Sequence, residues 1–564
     1  MVHQQRKLIQ VSLIKKKSNE KIIFINNNIL LFSNKNKIPK KYELYNLSQL
    51  KNQYTKNSIQ FVKKKLSIYR SQLSKTLNYV HRTNHSDHYW GQIIDTWLIH
   101  IISSVKYRID ILKKIKKKYK KIYINDQNIN LNVNSSWSIV NYLETSSQLN
   151  QFLYKKFSKL LNINVSKNYS ANFTINDYEK KKFKNIFYYN FYKILIVIFK
   201  PIVAVDLLLK NNYLFINIHK ILFVKSINFF YGNYFFSKKN NKMRDKFIVK
   251  EEDIYDKGFN AIVKNFIPMN FLENYYLIKN QLIFYIKFIK KILTSVAMHT
   301  DDKFKILIAE MSEIKKKKIF FQHGHETELS NYFLMGYVEK KYADKYLSWN
   351  NKRSFSNSFF LKNKSIKYNQ NSNISFYLTV DRLYFSRYRM GASDSKFLNI
   401  IDFYKSLSNE FKKFFYIKKY PSNIKEIDKI IEAKLKLLVD SNIKIYSNFE
   451  NTSDILTKTK IFISNYVSTS TFEYLSNNVP TIIIVDYKKL GYLNTVNSVF
   501  KLLQKNLIIQ DSYIGSAKFI NNNYSDIGEW WNSNSVQNAV NIFKNNLCVK
   551  KDFSNKEFFD EINS

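Results

Sequence analysis

Between residues 374 and 485, short apolar runs alternate with longer amphipathic stretches, and this alternation restricts the fold more than any other feature of the chain. Strand-like runs fall at 374–380, 414–417, 443–446, 461–463 and 481–485. Helix-like stretches fall between them at 394–411, 424–438, 452–456 and 471–476. A strand followed each time by a helix needs crossover connections, so these segments predict a mostly parallel, doubly wound α/β sheet. Ligands of such sheets sit beyond the carboxyl ends of the strands.

Upstream the pattern is less regular. A helix begins at Gln92, with Ile94, Trp97, Leu98, Ile101, Val105, Ile109 and Leu112 on one face. The lysine run 113–118 falls in its last turns, where cations suit the helix dipole, and reads as a solvated helix end. Further strands are expected at 21–25, 29–32, 304–309, 318–322 and 346–349. Residues 120–300 give little pattern, and the Asn-, Ser- and Lys-rich stretch 351–373 reads as a linker. A chain of 564 residues implies two or three domains. The divisions expected are 1–368, 373–530 and a helical tail at 531–564.

Composition removes several function classes. Hydrophobic residues make up 45% of the chain, enough for a sizeable core. The formal charge of +48, from 91 Lys and Arg against 43 Asp and Glu, suits an anionic partner such as nucleic acid, a membrane surface or a phosphorylated substrate. The excess is almost all Lys, spread along the chain and accompanied by Asn, Ile, Tyr and Phe, residues that share A/T-rich codons, so it discriminates poorly between functions. Cys548 is the single cysteine, which excludes an intramolecular disulfide and a thiolate zinc site. With nine glycines and neither GxGxxG nor GxxxxGK[ST], kinase, P-loop and conventional dinucleotide chemistry fall together. No GxSxG elbow occurs either. The basic N-terminus leads into no apolar signal region. The most apolar stretch, 194–209, is broken by Lys200, Pro201 and Asp206 and reads as buried core. A cytoplasmic protein is expected.

Four groups of residues could carry chemistry. Gln322-His323-Gly324-His325-Glu326 follows a strand directly. A histidine there faces the ligand side of the sheet and suits general-base work near neutral pH, and Gly324 lets the backbone turn or approach a ligand. A solvent-facing histidine in an ordinary turn is the competing reading. Ser468, Thr469, Ser470 and Thr471 open a helix, where hydroxyls and free amides form an anion site without glycine. Glu473 suits ribose hydroxyls, or completes a capping box with Ser470. Lys418, at another strand end, could meet a diphosphate or be merely solvated. His81, His85, His88 and Asp87 offer zinc-type ligands at a spacing that fits no standard site, so no metal is expected.

Taken in order, several stretches resemble a family of transferases encoded in bacterial O-antigen and surface-carbohydrate loci. More distantly, they are similar to CDP-glycerol glycerophosphotransferases and other GT-B-type enzymes. They are Leu77-Asn78 through His88-Tyr89-Trp90 to Trp97-Leu98 and Arg108; Gln322-His323-Gly324; Glu339 through Asp344 to Trp349; Lys418 to Pro421; Tyr466 through Ser468-Thr469-Ser470 to Glu473; and Asn478-Val479-Pro480-Thr481. The chain departs from the family pattern at His88, Gly91, His325, Asn350 and Lys418. Lysine at 418 in place of arginine keeps the charge but loses bidentate phosphate geometry.

The resemblance implies a GT-B-like α/β fold, two Rossmann-like doubly wound domains facing across a cleft. The N-terminal domain would hold the acceptor, a saccharide or lipid-linked saccharide, and the C-terminal one a nucleotide-activated sugar or CDP-linked donor. By the same resemblance His323 is the catalytic base, and Gln322 and Gly324 border the donor. Lys418 and the 468–471 hydroxyls hold its phosphates, and Glu473 binds its ribose. No bound cofactor or metal is needed, because helix N-termini and cations stabilise the leaving diphosphate. The function expected is glycosyl or glycerophosphoryl-type transfer in cell-surface polysaccharide synthesis, with peripheral contact at the inner membrane face and no nucleic acid. A basic nucleic-acid-binding protein and a catalytically degenerate scaffold are the alternatives.

Overall fold

The computed structural model describes residues 22–24, 42–44, 52–118, 122–163, 165–177, 196–198, 200–205, 221–224, 237–348, 373–378, 385–388, 396–419, 432, 435–436, 439–440, 442–447, 450–548 and 560–562. The expected strand 29–32 and almost all of the linker 351–373 lie outside these residues, as does most of the helix 424–438.

The first unit opens with a short parallel pair, β1 (Ile22–Phe24) and β2 (Tyr42–Leu44). Two long helices follow, α1 (Asn52–His81) and α2 (Asp87–Lys118). Every residue assigned to the apolar face from Ile94 to Leu112 is buried. The helix starts five residues before Gln92, with Asp87 in its first turn. A second parallel pair, β3 (Ile122–Val133) with β4 (Val165–Asp177), precedes the main sheet.

That sheet contains β5 (Ile202–Val205), β6 (Ile221–Val224), β7 (Ile292–Thr294), β8 (Lys318–Phe321) and β9 (Lys345–Leu347). All its pairings are parallel, in the order β6-β5-β7-β8-β9. Counted from β5 the order is 2-1-3-4-5, one of the two common doubly wound arrangements, with its switch point between β5 and β7. The apolar stretch at 194–209 supplies β5, buried along its whole length. Among the described residues no helix is long and apolar enough to cross a membrane.

One expected strand is a helix. Residues 304–309 belong to α4 (Asp302–Glu313), which follows α3 (Tyr275–Ile286). Asp301 caps α4 by accepting from the backbone of Lys303 and Phe304. The six residues from Phe304 to Ala309 are buried on every side, Lys305 included, because its ammonium reaches Asp302 at 2.9 Å. A helix enclosed all round shows no 3.6-residue period, so its apolar run looks like a strand. Helix α5 (Leu334–Tyr342) connects β8 to β9.

The second unit contains β10 (Asn373–Leu378), β11 (Phe415–Lys419), β12 (Lys444–Ile445), β13 (Thr459–Ser464), β14 (Thr481–Ile484) and β15 (Ile509–Gln510). They too pair only in parallel, in the order β12-β11-β10-β13-β14-β15. Counted from β10 this is 3-2-1-4-5-6, the dinucleotide-fold order, with its switch point between β10 and β13. The expected single helix 394–411 is two, Lys396–Ser406 and Asn409–Lys412, because Ser408 starts a new turn. After β13 comes α6 (Thr469–Ser476), and near the end α7 (Asn534–Leu547), whose Val536, Ala539, Val540, Phe543 and Leu547 are buried in this unit's core.

Among the described residues, three joints tie the units together. The Tyr107 and Phe385 rings stack at 3.8 Å, and buried Arg108 donates to the Phe385 carbonyl at 3.1 Å. Leu329 of the first unit packs into the second unit's core. Near the C-terminus, Ile562 accepts from Lys291 at 2.8 Å and Glu561 pairs with Lys345 at 2.6 Å, beside β7 and β9. The protein is thus an α/β chain of two doubly wound parallel sheets, as expected.

Gly91 is required by packing. A Cβ there would stand 2.0 Å from Tyr342 Oη and 2.7 Å from Arg70 Cδ. Both side chains are held by buried Asp95, Tyr342 at 2.6 Å and Arg70 at 2.7 Å, so neither can retreat freely. Gly91→Ala is expected to destabilise the protein by about 2 kcal/mol through overpacking, read from the midpoint of denaturant unfolding.

Candidate functional site

The carboxyl ends of β7 and β8 bring two histidines together. After β7, Thr294 accepts from the backbone of Ala297 at 3.0 Å, and the single helical turn Ala297–Thr300 carries His299. After β8, the Gln322 amide donates to the Leu347 carbonyl at 2.9 Å, continuing the sheet by one residue before His323 departs from it. The Gln322 side chain donates to the Gly324 carbonyl at 2.8 Å and shapes the turn, so it serves the loop. Gly324 does not have a positive φ, and nothing lies within 4 Å of where its Cβ would stand. Neither backbone conformation nor packing requires glycine there, contrary to the expectation of a sharp turn; the space beside it is open.

Between the histidines stands Glu339, on α5 and 1% exposed. Its Oε1 accepts a hydrogen bond from His299 Nε2. His323 Nδ1 lies 3.0 Å from the same oxygen, close enough for ion pairing though not aligned as a hydrogen bond. The Tyr346 hydroxyl donates to Oε2 at 3.2 Å, and the two imidazole centroids are 5.1 Å apart. Burial would raise the Glu339 pKa, but His323 and His299 outweigh it and pull the carboxyl from 4.5 to about 2. Burial in turn lowers the His299 pKa, partly opposed by Glu339, while burial and Glu339 raise the Tyr346 phenol. His299, His323 and Glu339 have ligand atoms within 4.8 Å of one another and are the group among the described residues able to hold a metal ion. Their His₂Glu donor set is of zinc type, although the same atoms already satisfy one another in part. The His81, His85, His88 and Asp87 set does not converge. His81 meets the Phe271 carbonyl, His85 pairs with Glu313, and His88 lies against Tyr342.

The turn after His323 meets the second unit. The His325 ring lies 6.3 Å from Tyr466 and 6.0 Å from Phe472, on either side of the α6 start. Ser330 donates to the Gly491 carbonyl at 2.8 Å, and the Leu493 amide donates to the Leu329 carbonyl at 2.9 Å. The carboxyl end of β8 therefore adjoins that of β13.

On the second unit the expected donor residues divide. Ser468 is the N-cap of α6 and forms a capping box with Thr471, so the Ser470–Glu473 box weighed as the alternative role for Glu473 is not the one formed. Thr471 is fully buried, and both hydroxyls serve their own helix. Thr469, Ser470 and Glu473 remain half-buried. Lys418 is occupied elsewhere, donating to the Ser447 carbonyl at 2.5 Å and the Glu450 carbonyl at 3.1 Å, and burial lowers its pKa. Two strand spacings, about 10 Å, separate its strand β11 from β13. The fold thus brings the 322–325 turn to the start of α6, and Lys418 stays apart.

Sequence reasoning missed His299, the role of Glu339, and Tyr346. Glu339 stood within a resembling stretch, but nothing along the chain links a helix carboxylate to histidines 16 and 40 residues upstream.

A model of the LIC12162 family of transferases matches residues 8–562, and the chain belongs to that family. No curated protein sequence matches it. Among solved structures it is similar to the wall teichoic acid polymerase TagF, at 13% identity over 50% of this chain and 73% of that one, with a TM-score of 0.30. It is also similar to a glycosyltransferase from Rickettsia africae, at 12% identity over 79% of this chain and 98% of that one, TM-score 0.33. The third is Acinetobacter baumannii MurG, at 12% identity over 48% and 80%, TM-score 0.24. Similarity this distant carries no argument about fold or chemistry, and the fold rests on the strand orders.

The Glu339 cluster has a pH signature. A carboxyl whose folded pKa is depressed adds stability that is complete above its unfolded value and is lost as pH falls through the folded one. Glu339→Gln is expected to cost about 3 kcal/mol near neutral pH. The gap between wild type and variant should then narrow as pH drops from 4.5 towards about 2, measured by denaturant unfolding at stepped pH.

Proposed function

We propose that this LIC12162 family transferase moves a glycosyl group from a nucleotide-activated donor to a saccharide hydroxyl, with His323 as general base. The observation that carries the reading is the His323–Glu339 pair at the carboxyl end of β8. A carboxylate 3.0 Å from Nδ1 favours a proton on that nitrogen by its charge, which leaves Nε2 as the proton acceptor. The His323 side chain remains 24% exposed while Glu339 is buried, as befits a base that meets substrate and a partner that does not.

In this reading the acceptor hydroxyl lies against His323 on the first unit. Its proton passes to Nε2 as its oxygen attacks the anomeric carbon, and the bond from that carbon to the diphosphate breaks. Glu339 stabilises the imidazolium that forms. The donor lies at the switch point of the second sheet, between β10 and β13, where doubly wound sheets bind nucleotides. Thr469, Ser470 and the first amides of α6 take its phosphates, since the Ser468 and Thr471 hydroxyls and Lys418 are engaged elsewhere. Glu473 takes the ribose, and the open space beside Gly324 admits the transferred sugar. No metal is needed in this scheme, because the helix terminus supports the leaving group. Surface-polysaccharide synthesis on a lipid-linked acceptor at the inner membrane face is the setting that suits a cytoplasmic enzyme of this kind.

His323→Ala leaves buried Glu339 with His299 and Tyr346, so the variant is expected to fold with a lowered melting temperature and to lose roughly 10²–10⁴-fold in transferase rate, assayed with a panel of nucleotide sugars and CDP-linked donors. A folded variant with full activity would remove His323 from this role. Failure of every donor in the panel to shift the wild-type melting temperature would remove the transfer reading itself.

A further inference from the structure

Helix α3 is apolar on nearly every side. Over Tyr275–Ile286 its sequence is YYLIKNQLIFYI, with Lys279 its one charged residue. A helix of that kind is normally enclosed by protein or lipid. One side of α3 is enclosed, with Tyr275, Ile278, Leu282, Tyr285 and Ile286 in the core. The other is not: Tyr276 is 44% exposed, Ile283 38% and Phe284 40%, and they share a stripe with Asn280 and Lys287. Ile314, at the end of α4, adds another side chain 50% exposed.

Lysines rim this face. The Lys316 ammonium donates to the carbonyls of Ile286, Lys287 and Ile289, which places the 314–317 turn at the carboxyl end of α3. Exposed Lys287, Lys290, Lys315 and Lys317 therefore gather at that end. No Asp or Glu occurs from residue 274 to 300 or from 314 to 325. Of the carboxylates on α4, Glu310 pairs with Lys279 at 2.7 Å, while Glu313 is 43% exposed and lies 3.5 Å from His85.

From this complementarity we infer that the outer face of α3 docks the protein onto an anionic lipid bilayer. Exposed aromatic and aliphatic side chains beside a lysine cluster are the surface chemistry of helices that lie in the membrane interface. Ile283 and Phe284 enter the headgroup boundary, while Tyr276 stays anchored by its hydroxyl to the His81 carbonyl, and the lysines meet anionic headgroups, each adding electrostatic attraction that salt screens. The inference rests on this surface alone and not on the transfer reading.

The test is co-sedimentation of the full chain with vesicles of phosphatidylglycerol and phosphatidylcholine, against phosphatidylcholine alone, at low and high salt. Wild type is expected to bind the anionic vesicles and to bind more weakly as salt rises. The double variants Ile283→Ser/Phe284→Ser and Lys315→Glu/Lys317→Glu are each expected to lose roughly tenfold in partitioning. Both alter exposed positions, and circular dichroism checks their folding. Absence of binding to anionic vesicles, or binding that both variants retain, overturns the inference. So does a concentration-dependent dimer that the Ile283→Ser/Phe284→Ser change dissociates, because the face would then cover a second copy of the chain. Donor-induced thermal shifts, measured in parallel, report on the transfer reading separately.

Discussion

A carboxylate taken out of water costs several kcal/mol unless it is paired and hydrogen-bonded, and Glu339 meets that condition by joining four separate pieces of the first unit. Helix α5 carries it. The turn after β7 brings His299, the turn after β8 brings His323, and β9 brings Tyr346. The carboxyl end of the first sheet is held in one arrangement by this contact set. The two histidines hold the Glu339 carboxyl below its ordinary pKa against the opposing effect of burial.

The two sheets place that site where doubly wound folds place theirs. Each has a strand order that reverses once, and the crevice of each opens beyond the carboxyl ends of its strands. The junction of His325 with Tyr466 and Phe472 brings β8's carboxyl end against β13's. Side chains of both units therefore meet at one junction. The other joints, at Phe385 and at the C-terminal segment around Ile562, lie at different places on the first unit. Together they limit how far the units can move apart.

The second sheet was the more legible in sequence. Its strands are short, and the described helices at 396–406 and 452–458 are exposed on one side, so the change of period shows along the chain. Residues 304–309 misled because α4 is buried all round, which erases the helical period. The strand β7 went unread because three residues, Ile292–Thr294, carry no alternation to detect. At α6 the helix start was legible, but the pairing of Ser468 with Thr471 was not. Ser470 and Glu473 offered the same capping pattern, and only backbone geometry separates the two registers.

The sequence alone determined that the chain is α/β with a parallel C-terminal sheet, and that His323 ends a strand on the side where ligands bind. Both follow from local order along the chain: periodicity, strand ends and helix starts. Tertiary structure alone decided that His299 and Glu339 stand beside His323, that Lys418 turns to the carbonyls after β12, and that α3 leaves an apolar face uncovered. These are contacts between segments far apart in the chain. They depend on which strands neighbour one another and on which face of a helix the core has already used, and neither quantity is written in any local window of residues.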